Sequence, residues 1–343
     1  MSEIRYDQIY DNHVIIAPER LHRPDVLHQS EREHSPSDAC PFCEGNEAMT
    51  PPEIYARRDR ESFPNEQGWH TRVVPNLYKA VQIEAAHRFE YRGLFNRWEG
   101  FGAHEVIIDT PTHHLSMTQW SEQEIREWLK TMRQRVMDLR RDGRIVYLSL
   151  FKNEGILAGA TQTHPHTQLI ALPMVPAAER DRYRRGYEHY TSTGRSLMES
   201  LILQEESEGE RIVARRGDFV AYCPYASAYP FEVMISSSQN MGQIDTLSDR
   251  SVGIVAQLLQ SVLERLERQL GTFDFNLQVA TPPLQPCSTS DRELYQLNAA
   301  CRFFIRIMPR LYRHGGFEAS TGMIINPVAP EMAAKLLREY WYE

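Results

Sequence analysis

The stretch GATQTHPHTQLIALP, residues 159–173, sets two histidines on either side of a proline, a glutamine two residues on, and an apolar run stopped by Pro173. In a strand, residues i and i+2 share a face, so His164, His166 and Gln168 point the same way. Two imidazoles so placed can bind a metal, do covalent chemistry, or merely decorate a strand. The preceding loop, Asn153 to Thr161, carries Gly155 and Gly159 and offers backbone N–H groups able to approach a phosphate.

Working outward, His104–Ile108 reads as a strand ended by Asp109-Thr110-Pro111. Ser121-Glu122-Gln123-Glu124 has the spacing of a capping box. The helix it opens carries Ile125, Trp128, Leu129, Met132, Val136 and Leu139 on one face. Strands at 145–151 and 166–172 follow. The second half repeats this order, with strands at 218–222 and 231–235, a long helix over 248–270, and strands at 273–279 and 303–308. A strand–helix–strand–strand unit recurring at a spacing of about 120 to 140 residues predicts a duplicated α+β fold. Its antiparallel sheets, which could join into one, would carry packed helices. The halves are 1–175 and 218–343, and 176–217, rich in charge, is read as a solvated helix and connection.

A chain of 343 residues suits two domains or one large domain built from two halves. The net charge of −8 offers no basic surface for nucleic acid or an anionic membrane. No stretch approaches the length of a membrane span, and the N-terminus lacks the apolar core of a signal peptide, so the expected compartment is the cytoplasm. Five cysteines, an odd number, argue against a disulfide framework. Cys40 and Cys43, in Cys-Pro-Phe-Cys before Glu44-Gly45-Asn46, are presented as a turn presents thiolates to zinc, with a redox pair as the competing reading.

Together these residues resemble the galactose-1-phosphate uridylyltransferase family of the histidine-triad superfamily. Pro18-Glu19-Arg20-Leu21-His22-Arg23-Pro24 is similar to its N-terminal motif, and Cys40-Pro41-Phe42-Cys43 to its zinc Cys-x-x-C. Arg72 to Tyr78, Thr110 to His113, and Phe151 to Gln168 are similar to further family segments, the last with identical internal spacing. The resemblance implies a duplicated α+β unit, a homodimer and zinc. It implies His166 as the nucleophile that forms a nucleotidyl-histidine in a ping-pong cycle, and Gln168 as the donor to the transferred phosphoryl group. It implies Cys40, Cys43, His113 and His164 as zinc ligands, with His114 competing for the third place. Arg20, Arg23, Asn76, Asn153, Gly159 and Thr161 map to positions that contact the nucleotide, and Glu318 to a sugar-contacting glutamate.

The chain departs from the enterobacterial form and looks like the branch of archaeal uridylyltransferases, ADP-glucose phosphorylases and adenylylsulfate:phosphate adenylyltransferases. Ile325 and Asn326 stand where that form has a hexose-contacting glutamine. Arg302, Phe304 and Arg306 occupy a strand where relatives carry histidines, so a second metal is not expected, and the guanidinium groups favour a small oxyanion. The expected substrates are a nucleoside diphosphate sugar or an adenylyl anion as donor, and phosphate or a sugar 1-phosphate as acceptor. Uridylyl transfer and adenylyl transfer to phosphate both fit. The competing classes are a dinucleotide hydrolase and a zinc-stabilised nucleotide-binding module.

Overall fold

The computed structural model describes residues 1–22, 40–113, 116–239, 241–280, 283–285 and 303–339. In chain order its strands and helices begin with β1 (Glu3–Asp7), β2 (Asn12–Ile16), β3 (Tyr55–Arg58) and β4 (Trp69–Pro75). The hairpin β5 (Phe89–Arg92) and β6 (Phe95–Trp98) precedes β7 (Ala103–Ile108), α1 (Glu122–Leu139), β8 (Tyr147–Glu154) and β9 (His166–Leu172). Then come α2 (Ala177–Thr193), α3 (Leu197–Glu208), β10 (Ile212–Arg216), β11 (Phe219–Tyr222) and β12 (Val233–Ser236). The chain continues through α4 (Asp249–Leu270), β13 (Phe275–Val279), β14 (Ile305–Pro309), α5 (Gly316–Thr321), β15 (Ile324–Asn326) and α6 (Pro330–Glu339).

Ten strands form one antiparallel sheet in the order β10-β11-β12-β14-β13-β8-β9-β7-β4-β3. The two halves of the sequence therefore meet in a single ladder, β8 against β13, from Phe275↔Glu154 to Val279↔Leu150. Alternation along each strand sorts side chains to two faces. Leu148, Leu150, Leu169, Ala171, Leu277, Ile305 and Ile307 turn to one face and join the main core with α1 and α4. Both helices form as their sequences predict. The Ser121 hydroxyl accepts from Glu124 N–H, and the Glu124 carboxylate accepts from Ser121 N–H in return. Ser248 caps α4, whose buried stripe runs through Val252, Val255, Leu259, Val262 and Leu266.

The opposite face is only partly covered. Toward β10 and β14 it is sealed by Ile9, Met198 and Ile202 packed on Val220, Tyr222, Met234 and Phe304. Toward β4 and β7, Phe42 and Trp69 pack on Val74, Val106 and Ile108. The charged stretch 176–217 is more structured than a solvated connection. It makes two helices and strand β10, because a few apolar side chains, Met198 and Ile202 among them, reach the sheet while the charges stay outside. A smaller sheet, β1-β2-β15, joins the first two strands to the last described one, with β15 parallel to β2. No described helix is long and apolar enough to cross a membrane.

Leu259 on α4 is fully buried in the main core. Leu259→Ala is expected to cost about 2–5 kcal/mol of stability. The cost would be read as a lower urea midpoint at unchanged m-value; an unshifted midpoint contradicts this packing.

Candidate active site and metal cluster

His166 opens β9 on the partly covered face. The register of β9 places Ile108 of β7 opposite His166, Val106 opposite Gln168, and Phe151 of β8 on the other side of Gln168. Only 7% of His166 is exposed, and burial holds its imidazole down to about 4, so the ring is neutral. Its Nδ1–H donates to the His164 carbonyl at 3.0 Å, which leaves the lone pair on Nε2. Phe42 packs against the ring at 5.7 Å between centroids.

Behind the strand, a buried polar network holds β9 from the helix side. Trp128 Nε1–H donates to Thr167 Oγ1 at 2.8 Å, and Thr167 in turn donates to Asp109 at 3.2 Å. The Lys152 ammonium lies 3.1 Å from Asp109 and 3.6 Å from Glu154, and both Lys152 and Asp109 are buried. Burial, only partly offset by Lys152, raises the Asp109 carboxyl to about 6.

The other histidine of the pair serves a different centre. His164 is fully buried, and its Nε2–H donates to the Thr110 carbonyl at 2.9 Å. That leaves Nδ1 facing Cys40 Sγ at 3.6 Å and Cys43 Sγ at 3.5 Å, while His113 Nδ1 lies 3.4 Å from Cys43 Sγ. One ligand atom from each of the four residues falls within 4.8 Å of the others, a cluster that can hold a metal ion. Cys40 and Cys43 are brought in by a turn in which Cys43 N–H donates to the Cys40 carbonyl, also held by the Asn46 amide at 2.8 Å.

The loop between β8 and β9 depends on glycine. Gly155 has φ of +86°, and a Cβ there would meet Asp274 Oδ1 at 1.9 Å. Asp274 Oδ2 accepts from Leu157 N–H at 2.7 Å, while the N–H groups of Ala158, Gly159 and Ala160 donate back to Gly155 or Ile156 carbonyls. These four amides are thus already committed, three within the loop and one to Asp274, unlike the phosphate-cradling role expected of them. Asn153 and Gln168 are half-buried, and Thr161 is exposed.

Of the remaining positions, Asn76 follows β4, and its amide nitrogen lies 3.0 Å from His104 Nε2. Arg20 is exposed on the turn 18–22, and Glu318 accepts from Gly315 N–H at the start of α5. Asn326 is fully buried, with its amide donating to the Ser227 carbonyl and accepting from Val328 N–H. Phe304 is buried in the core, and Arg306 is paired with Glu232 at 2.6 Å. Arg23, His114 and Arg302 lie outside the described residues. Two further residues bear on the site. His104 contacts Gln168, and the Asn276 amide donates to both Asn153 Oδ1 and the Ala158 carbonyl at 2.9 Å. Both act across strand pairings, β7 with β9 and β13 with β8.

Residues 1–176 match the profile of the galactose-1-phosphate uridyl transferase N-terminal domain. Over 341 residues the chain is 31% identical to the ADP-glucose phosphorylase of Arabidopsis thaliana, covering 98% of this chain and 92% of that one. It is 26% identical over 343 residues to the galactose-1-phosphate uridylyltransferase of Thermotoga maritima, covering 99% and 98%. The crystal structure of an Arabidopsis thaliana ADP-glucose phosphorylase with bound ADP-glucose superposes with a TM-score of 0.80 at 29% identity, over 99% of both chains. Fold and relatives together define a nucleotidyltransferase. The chain belongs to the galactose-1-phosphate uridyl transferase family.

Gly155→Ala is expected to destabilise the protein by about 1–3 kcal/mol, because both the backbone conformation and the space are denied to a methyl group. Asp274→Ala in the same background should recover part of that loss by removing the clash. Urea titration of the two variants tests this, and a Gly155→Ala midpoint equal to wild type refutes it.

Proposed function

We propose that the protein moves a nucleoside monophosphate between phosphate-type acceptors in two steps, with His166 as covalent carrier. The observation that supports this best is the hydrogen bond from His166 Nδ1–H to the His164 carbonyl, which commits one nitrogen and leaves the other nucleophilic. Nε2 attacks the α-phosphorus of a nucleoside diphosphate compound. The N–P bond forms as the P–O bond breaks, and its electron pair departs with the leaving phosphate. An oxygen of the acceptor phosphate then attacks the same phosphorus and releases the imidazole. A phosphate monoester with a second pKa of about 6 leaves as an anion without a general acid. A third histidine is therefore unnecessary, and Gln168 donates to the phosphoryl oxygens as charge builds on them.

Asn76, Asn153, Gly159 and Thr161 are assigned to the nucleotide, and Arg20, Arg23, Arg302 and Glu318 to the remaining anionic or sugar groups. Asn326 is poorly suited to a substrate role, because both ends of its amide are occupied. Likeness to uridylyltransferases favours a UDP-hexose donor and a hexose 1-phosphate acceptor. Likeness to the Arabidopsis ADP-glucose phosphorylase favours adenylyl transfer from ADP-glucose to phosphate.

Cys40, Cys43, His113 and His164 would hold zinc. For bonds of about 2.3 Å to sulfur and about 2.1 Å to nitrogen at tetrahedral angles, unlike ligand atoms stand about 3.6 Å apart. The separations of 3.4 to 3.6 Å agree with this. Zinc there would clamp the N-terminal loop to the strand bearing His166. The halves 1–175 and 218–343 are read as two copies of one unit joined through 176–217. The first half supplies five strands of the large sheet and the second four, with β10 of the connecting segment completing the mirrored order about the β8–β13 pair; each half carries one long helix. The reading includes a homodimer in the cytoplasm.

Incubation with UDP-glucose, ADP-glucose or adenylylsulfate, followed by an alkaline quench and intact-mass measurement, should show a gain of one uridylyl or adenylyl group, absent in His166→Asn. The donor that labels names the base, and no gain from any donor overturns the mechanism. Cys40→Ser should lower zinc content and melting temperature more than it lowers the labelling rate. Full zinc occupancy in that variant would contradict the ligand set.

A further inference from the structure

His104 is buried in β7, with its ring between a backbone amide and the side chain of Gln168. Ala80 N–H lies 3.1 Å from His104 Nδ1. A backbone N–H can only donate, so Nδ1 accepts and the proton of the neutral ring sits on Nε2. Two groups face Nε2. The Asn76 amide nitrogen, at 3.0 Å, is itself a donor, and it is held that way round because Asn76 Oδ1 accepts from Tyr78 N–H at 2.8 Å. The Gln168 oxygen, at 3.1 Å, is therefore the acceptor. The chain of polarity starts at an amide that cannot be reversed and ends by orienting the Gln168 carboxamide. Its oxygen is bound to His104, so its NH₂ is the end left for other partners.

From this we infer that His104 is a positioning residue, one that acts through Gln168 by locking its carboxamide with the NH₂ toward the phosphoryl oxygens of the nucleotide. Unlocked, the carboxamide can rotate and present its oxygen, a repulsive partner for an oxyanion. The inference rests on the proposed function, because it concerns the group that steadies the phosphoryl oxygens during attack by His166. His104 meets Gln168 because β7 pairs with β9, Val106 opposite Gln168.

A double-mutant cycle tests it, using the donor, UDP-glucose or ADP-glucose, that labels the wild type. The single-turnover rate of His166 labelling at saturating donor would be followed for His104→Leu, Gln168→Leu and the pair, with KM and melting temperature alongside. His104→Leu should slow labelling about 10- to 100-fold, below the about 10²–10³-fold loss of a whole donor, while KM changes by less than about threefold. In the Gln168→Leu background the same change should cost less than about threefold, since its target is gone. His104→Gln, whose amide can donate to Gln168, should recover most of the single-variant loss. The inference is overturned if His104→Leu labels at the wild-type rate, or if it costs as much without Gln168 as with it. Should His104→Leu fail to fold, His104→Gln in the two backgrounds decides, since the inference requires a near wild-type rate with Gln168 and no further loss without it. Absence of labelling in the wild type itself would sink the proposed function, a result separate from any of these.

Discussion

Two backbone carbonyls govern this site. Thr110 takes the ring proton of His164 and thereby sends its Nδ1 to the thiols, while the His164 carbonyl takes the ring proton of His166 and sends its Nε2 outward. Chemically identical side chains two residues apart are given opposite tasks by the direction of a single N–H each. Burial keeps both rings neutral, so neither lone pair is lost to a proton. The rest of the architecture keeps those two carbonyls still.

It does so from both sides of the sheet. On one side, the Cys-x-x-Cys turn and His113 converge on His164, tying residues 40–46 and 110–113 to the start of β9. On the other, Trp128 reaches from α1 to Thr167, and the Lys152 ammonium sits between Asp109 and Glu154. A buried ammonium is costly unless it is paired, and here two carboxylates share it. Such a group cannot shift without leaving charge unpaired, so the network resists sliding of β8 against β9.

Much of this was legible in local sequence. Period-two alternation places His164, His166 and Gln168 on one face, and the capping box and apolar stripe locate α1. The strand–helix–strand–strand order gave the α+β class. What stayed hidden depended on pairing between distant segments. His104 looked like an ordinary residue at a strand start, and Asn276 like any polar strand residue, until β7 met β9 and β13 met β8. The loop amides at 157–160 looked open to a phosphate because nothing local reveals that Asp274, more than a hundred residues away, already engages one of them. The helices of 176–217 are faint in the sequence because a few apolar side chains suffice to dock a charged helix, too few to dominate its pattern.

The β8–β13 ladder has a kinetic meaning as well as an architectural one. Five residue pairs of continuous backbone hydrogen bonding cross the midline of the protein, and such a seam transmits force and does not flex like a linker. In the proposed two-stroke cycle, which must discharge one product before admitting the next reactant, the midline cannot serve as a door, and His166 would keep the same aim in both strokes.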